Sequence, residues 1–507
     1  MKYDLIVAGG GAAGAVIAAR VSEDPKRSVL LLEAGPYYRT ADEMPDDLLN
    51  GNDNSYWAHD WGYEAETRPG GRQVHQPAGR VVGGSSAVNT AIALRGVPED
   101  YDEWASLGNP EWSWEKVLPY FVRLERDLDF PGAPYHGDRG PIPIRRYRED
   151  ELVPVQRAFI EAMRDLGYPE TPDNNDPQST GLGFHPMNKD RDGRTRMSVA
   201  ICYLQPARHR LNLTVRGDCL VQRVHTRGHR AVAVEVESNG ETYVVEGERI
   251  VLSGGAIGSP AILMRSGVGP EAHLRELGID VVEDLPGVGA NLDDHPMLGV
   301  VYSAREGLLN GADPVVQVTY RYTSKGGTER NDMQLMPVSQ IRTRAGAYVF
   351  ALGPVIYRQK SRGRVTLRSP DPNDLPVIEN GFLQDEEDVR RLVEGVRFGL
   401  EVGSHPALER LAEGIRSPHA AALESDETLA EWCRSVASSG FHPSCTAKMA
   451  PPDDPTGVVD QYLRVRGFEN LYVADASVMP ACPRANIHLT SVMIGERAGE
   501  WLREGAI

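Results

Sequence analysis

The chain has no uninterrupted run of roughly 18 apolar residues, the length a helix needs to cross a bilayer, so no membrane span is expected. Cysteines are few. Five occur, at 202, 219, 433, 445 and 482, an odd number with no CxxC. That pattern offers neither a disulfide framework nor a zinc site, so cytoplasmic residence and no metal are expected. Positive charge is also in short supply. There are 54 basic and 72 acidic side chains, a net charge of -18 and an isoelectric point near 5.3. Nucleic acid and anionic membranes would be repelled and are not expected as partners. The N-terminal stretch "MKYDLIVAGGGAAGAVIAARV" carries Asp4 inside its apolar part, unlike a secretion signal. No internal repeat and no low-complexity tail is present. What remains is 507 residues, 25% of them charged, room for two or three domain-sized cores.

The first 35 residues read as strand, glycine turn, helix and second strand: "YDLIVAGG", "AAGAVIAARVSE" and "SVLLLEAG". Short apolar runs bounded by glycine are buried strands, and the 3.6-residue spacing between them is helical. Residues 36–80 are irregular and aromatic, and residues 150–168 read as a helix. "LTV", "CLVQRVHT", "AVAVEVES", "TYVVEG" and "RIVLSGG" read as consecutive strands separated by turns. Between 297 and 368 alternating segments, among them "VVQVTYRYT", "DMQLMPV" and "RVTLRS", predict an antiparallel sheet, followed by helices near 385–403 and 427–438. The predicted class is α/β. A Rossmann-like nucleotide-binding domain is built from separated segments (1–148, 189–301, 440–507), with a sheet-and-helix substrate domain inserted (149–188, 302–439).

Gly9-Gly10-Gly11-Ala12-Ala13-Gly14 fits G-x-G-x-x-G between a strand and a helix. Gly9 allows the tight turn, Gly11 lets backbone approach a pyrophosphate, and Gly14 lets helix and strand pack closely. The helix N-terminus then presents free N–H groups to phosphate. Glu33 ends the second strand about 20 residues on, where an acid accepts hydrogen bonds from a ribose. The fingerprint alone does not separate FAD from NAD.

Later stretches do. "GRVVGGSSAVNTAIALRG" (79–96) and "GAIGSPAILMRSGVG" (255–269) resemble the two flavin-contact motifs of the glucose–methanol–choline (GMC) oxidoreductases. "LPGVGANLDDHP", "SRGRVTLRSPDP" and "ADASVMP" are similar to further blocks of that family, in order along the whole chain. The resemblance implies FAD, a two-domain fold, and oxidation of an alcohol by hydride transfer to flavin N5. It implies cofactor contacts from Gly9, Gly11, Ala12, Ala13, Gly14, Glu33, Ala34, Arg80, Gly83, Gly84, Ser85, Asn89, Thr90, Ala91, Val221, Gly255, Asp475, Ala476, Asn486, His488, Leu489 and Thr490. Some family members carry a histidine in the first motif that bonds to the flavin. Val88 stands at the matching position here, so dissociable FAD is expected.

The family also places a histidine in an HPxGTxxM block and a second His or Asn in an N-x-[HN] block. His442 in "FHPSCTAKM" and His488 in "ANIHLTSVMIGER" match them, with Asn486 leading the second. Hydride leaves an alcohol carbon readily only as the hydroxyl proton departs, and imidazole is the side chain whose unperturbed pKa, about 6.5, suits that base. His442 is assigned as general base and His488 as the group orienting the hydroxyl, with exchanged or shared roles left open. His75, His295 and His405 are read as structural. Cys445 replaces the family's glycine and is read as a small buried filler; Cys482 lies near the site in sequence, and a reactive pair of the two is not favoured.

The pocket wall is expected from Trp57, Trp61, Tyr357 and Phe441. No acidic anchor for a quaternary ammonium stands out, so choline is not favoured. The reduced cofactor would be reoxidised by oxygen, a quinone or a redox protein, and the chain would be monomer or homodimer. Two other readings remain: a hydroxynitrile lyase with non-redox flavin, and a non-catalytic binding protein on the same fold.

Overall fold

A computed structural model describes residues 2–343 and 346–507. The chain builds two large sheets. In the first, strands Leu213–Arg216, Val29–Leu32, Lys2–Ala8, Glu241–Leu252 and Leu471–Val473 run parallel, with Lys2–Ala8 in the centre. The runs of Val, Leu and Ile in Val29–Leu32 and in the second half of Lys2–Ala8 are buried on both faces, which is why they lack the alternation of a half-solvated strand. Helix Gly14–Val21 packs on this sheet and against helix His488–Glu504. Strands Leu220–Arg227 and Arg230–Ser238 extend the sheet antiparallel.

Two strands expected around residue 247 are one. Glu241–Leu252 runs straight through Gly247, whose missing Cβ leaves room for Ile6; an added Cβ would lie 2.8 Å from Ile6 Cδ1. That glycine serves a close approach rather than a turn.

The second sheet is antiparallel, in the order Ala412–Ser417, Val300–Ala304, Tyr348–Ile356, Met333–Arg342, Val318–Tyr322, Gly181–Phe184. Strand Val300–Ala304 spans the expected boundary at 301/302, and Pro296–Met297 also joins this sheet. Helices Pro154–Asp165, Glu386–Gly403 and Asp426–Val436 contribute to the core cluster on one face of it.

"RVTLRS" does not join this sheet. Arg364–Thr366 lies in a separate four-stranded sheet with Val377–Glu379, Tyr63–Glu66 and Gln73–Gln76. Hydrogen bonds from Val365 N to Gly289 O (2.7 Å) and between Gly363 and Leu292 hold it there. The aromatic region expected to be irregular therefore contains a hairpin.

Helix His488–Glu504 also departs from a one-faced amphipathic pattern. Residues 488–499 are buried throughout, charged ones included. Glu496 is neutralised by Arg20 and Arg123, and the Arg497 guanidinium stacks over Trp112 and Trp501 and pairs with Glu111. Buried charge is tolerable when paired in this way. Among the described residues, no helix is long and apolar enough to cross a membrane.

Candidate active site

The carboxyl ends of the parallel strands and the open face of the second sheet enclose one cavity of about 430 Å³. At one end the backbone forms its wall. Gly9 is left-handed (φ 110°), and a Cβ there would meet Ser253 O at 2.3 Å. A Cβ on Gly14 would meet Gly9 O at 2.0 Å, so helix and strand touch as the fingerprint requires. The loop around Gly83-Gly84 docks on the fingerprint: Gly83 N donates to Gly10 O (2.8 Å), and a Cβ on Gly84 would fall 2.6 Å from Gly11 Cα. Glu33 accepts from Gly10 N (2.8 Å) and Gly35 N (3.0 Å), while burial pushes its carboxyl up to about 7. Asp475 accepts from Gly255 N, Ser259 Oγ and Ser477, tying the end of strand Leu471–Val473 to the start of helix Gly255–Arg265.

Sixteen of the expected cofactor contacts line this cavity: Gly9, Gly11, Ala12, Ala13, Glu33, Ala34, Gly84, Ser85, Asn89, Thr90, Val221, Gly255, Asp475, Ala476, Asn486 and His488. The others stand behind it. Gly14 and Gly83 shape the turns, and the Arg80 guanidinium sits over the Trp61 ring at 5.1 Å. Ala91 and Leu489 are buried in packed clusters, and Thr490 Oγ1 hydrogen-bonds the Tyr101 hydroxyl (2.9 Å). Val88 packs with Leu48, Val81 and Ala87.

At the other end side chains form the wall. Ser438–Ser439 pairs with Pro296–Met297, so the turn Gly440-Phe441-His442 lies against His295. Gly440 N donates to His295 O (2.7 Å), and a Cβ at Gly440 would meet that oxygen at 2.8 Å. Asp294, fully buried, accepts from the backbone N–H of His442 (2.9 Å) and of His295 (2.7 Å) and from Ser439 Oγ (2.5 Å); burial pushes it up to about 6.

The imidazoles are then joined in a chain. Asn486 Nδ2 donates to His442 Nε2 at 2.9 Å, and the Nδ1 atoms of His442 and His295 lie 2.9 Å apart. His295 Nε2 lies 3.2 Å from Cys482 Sγ. With Nε2 of His442 accepting, its proton sits on Nδ1 and is donated to His295, whose own N–H then points at the thiol. One hydrogen bond fixes the tautomer of the next ring. Burial holds His442 and His488 down to about 4 each and His295 well below the ordinary range, so all three are neutral near pH 7. Both His442 and His488 line the cavity, and His488 Nε2 and Asn486 Oδ1 are buried without a partner.

His295 and Asp294 thus belong to this constellation, which sequence reasoning missed for both; the "LDDHP" block was the signal. Cys482 touches His295. Its thiol is raised well above its ordinary pKa, by burial first and then by nearby acidic groups, so it is a neutral SH. Phe441 and Trp61 line the cavity, but Tyr357 does not: it stands edge-on behind His295, ring centroids 4.8 Å apart. Trp57 is 91% exposed and stacks on His75 instead.

Family models described as GMC oxidoreductase match residues 3–297 and 359–495. The chain belongs to the GMC oxidoreductase family. It is 35% identical to the mitochondrial choline dehydrogenase of Homo sapiens over 99% of this chain and 90% of that protein. Its fold matches pyridoxine 4-oxidase from Mesorbium loti with TM-score 0.90 and 31% identity, covering 98% and 99% of the two chains. It also matches an FAD-dependent oxidoreductase from Chaetomium thermophilum, with TM-score 0.86, 25% identity and full coverage of both.

This GMC oxidoreductase is an FAD enzyme. The cavity fits that cofactor on its own terms. Glycines at 11, 255 and 258 bare the backbone to it, the first turn is built for pyrophosphate, and two orphaned buried polar atoms face it at the histidine end.

Proposed function

We propose that this GMC oxidoreductase oxidises an alcohol to its carbonyl compound with His442 as general base. The observation that carries the reading is the orientation of His442: its Nε2 is held as an acceptor at the cavity by Asn486, and its Nδ1–H is held by His295. A neutral imidazole accepts at one nitrogen only, so an alcohol hydroxyl that takes the place of the Asn486 amide at His442 Nε2 can give its proton to that lone pair. The charge formed is then shared through the Nδ1–H with His295, which acts as a positioning residue. His488 Nε2, buried and unpaired, supplies the hydrogen bond that orients the alcohol oxygen. Positioned acid–base groups contribute about 100- to 10,000-fold in rate. FAD, when bound, accepts the hydride. Val88 offers no nucleophile to the cofactor, so FAD is held without a covalent bond. The electron acceptor that completes turnover is oxygen, a quinone or a redox protein.

Anaerobic addition of a substrate alcohol should bleach the yellow flavin absorbance, and oxygen or a quinone dye should restore it. Failure of every primary and secondary alcohol to bleach it would remove the proposal. Cyanide release from a cyanohydrin with the flavin still oxidised would select the lyase reading instead. Denaturation in acid should release free FAD into the supernatant.

A further inference from the structure

The chemistry of the cavity's substrate wall narrows the alcohol. Strand Met333–Arg342 turns alternate side chains inward, as its two-residue period dictates, so Gln334, Met336 and Val338 face the cavity. Val355 pairs across from Gln334, and Met297 pairs with Val355 only two residues from His295. Gly353, opposite Met336, adds no bulk; a Cβ there would lie 3.7 Å from Met297 Cε. The result is a thioether-rich wall next to the histidine pair, apolar but for Gln334, whose amide nitrogen donates to Thr319 Oγ1 at 2.7 Å.

Among the described residues, only three charged side chains line the whole cavity: Glu33, Arg265 and Asp475. Glu33 and Asp475 follow strands of the first sheet and have their oxygens taken by backbone and hydroxyl donors. Arg265 ends helix Gly255–Arg265 and donates to Gln222 O. None of the three belongs to the methionine and valine wall.

Two arginines outside the cavity lining are engaged elsewhere. Arg80 already covers the face of Trp61. Arg196 is fully buried, and its guanidinium donates to six main-chain carbonyl oxygens at 2.6–3.0 Å, of residues 47, 48, 50, 53, 87 and 89. It forms no ion pair among the described residues. Its charge acts on Tyr56, which lines the cavity and meets Phe441 edge to face at 5.4 Å. That pair uses an aromatic face on itself and builds no cage for an ammonium.

We infer that the substrate is an uncharged alcohol with an apolar body, an aryl or alkyl carbinol, and not a quaternary ammonium alcohol such as that named in the choline dehydrogenase relatives. The inference rests on reading this cavity as the alcohol site. Desolvating a fixed cation with no counter-charge is costly, whereas an apolar body gains from leaving water.

The test uses FAD-loaded enzyme without oxygen, with benzyl alcohol, 1-hexanol, choline and glycolate. Binding is read as perturbation of the flavin spectrum, separately from bleaching. Benzyl alcohol or hexanol should bind, and reduce the flavin, with an efficiency on the order of 100-fold above choline and glycolate. Tighter binding of choline, or binding of none of the four, overturns the inference. Binding of benzyl alcohol without bleaching leaves the substrate class standing and removes the oxidation proposal. Met336→Glu, which puts a carboxylate on the wall, should keep flavin content and shift preference toward choline by at least ~10-fold. An unchanged ratio would count against the inference.

Discussion

The two ends of the cavity solve the same backbone problem in opposite ways. At the nucleotide end the reversals of the fingerprint, of the Gly83-Gly84 turn and at the start of helix Gly255–Arg265 are glycines, Gly9 (φ 110°), Gly83 (109°), Gly84 (51°) and Gly255 (75°), with Ala91 (59°) and Asp218 (51°) as exceptions. At the histidine end the left-handed positions flanking His442 are Phe441 (67°) and Cys445 (73°). Glycine takes these conformations at no steric cost and other residues do not. Where the ligand is recognised by backbone, a side chain is an obstruction. Where side chains form the wall, the loop keeps them and accepts the strain.

The largest effects should separate the ends cleanly. Gly9→Ala drives a methyl into Ser253 O at a left-handed position. It should yield colourless or unfolded protein, a loss above ~4 kcal/mol, read by flavin absorbance and melting. His442→Ala should retain its yellow colour and lose about 100- to 10,000-fold in the rate of flavin reduction. A colourless His442→Ala, or a Gly9→Ala with full flavin, would break the comparison.

Next in size is the acid response. His442 and His488 have folded pKa values near 4 against about 6.5 unfolded. Between those limits the unfolded chain binds protons that the folded chain does not. Stability is therefore full above pH 6.5 and is lost as pH falls toward 4, by on the order of 3 kcal/mol per ring. Melting temperatures of wild type and His488→Gln should diverge in that window, the variant falling less steeply. Parallel curves would show that the ring is not held neutral. Flavin reduction should persist well below pH 6.5, failing only as His442 takes up a proton.

Legibility in the sequence divides along the same line. The glycine end was readable because its partners are local: the fingerprint lies between two adjacent strands, and Glu33 follows within one βαβ unit. His442, Asn486 and His488 were found through matching blocks. His295 and Asp294 were not, because their approach to His442 depends on Pro296–Met297 pairing with Ser438–Ser439, more than 140 residues away. Periodicity gives no register between strands so distant. Tyr357 was misplaced for a related reason: following directly on strand Tyr348–Ile356 does not say whether a residue faces the cavity or the back of the His295 ring. Arg364–Thr366 had strand composition, but its pairing with Val377–Glu379 decides which sheet it enters.

The chain of rings gives a smaller, sharper test. If the Nδ1–H of His442 is held in place by His295, and His295 in turn by Cys482, then removing each should cost less than removing the base. His295→Ala should lower flavin reduction about 10-fold and Cys482→Ala about 2- to 5-fold, the scale of one neutral hydrogen bond. Cys482→Ser, which keeps a polar acceptor, should recover most of the loss. A structural role alone would lower stability without moving the pH dependence of reduction. The positioning role predicts that His295→Ala shifts it.

The smallest effect addresses the strain itself. Cys445 is buried and left-handed, its thiol near Ser444 Oγ at 3.3 Å. Cys445→Ala removes the packed sulfur but keeps the Cβ, so it should cost about 1 kcal/mol with no relief. Cys445→Gly loses the same sulfur and adds freedom to the unfolded chain, about 0.4–1 kcal/mol, yet it releases a left-handed Cβ worth roughly 1–2 kcal/mol. Glycine should therefore melt at or above alanine here, the reverse of the usual order for a buried position. An alanine variant clearly more stable than the glycine variant would mean that the histidine end carries no such strain, and the contrast between the two ends would reduce to composition.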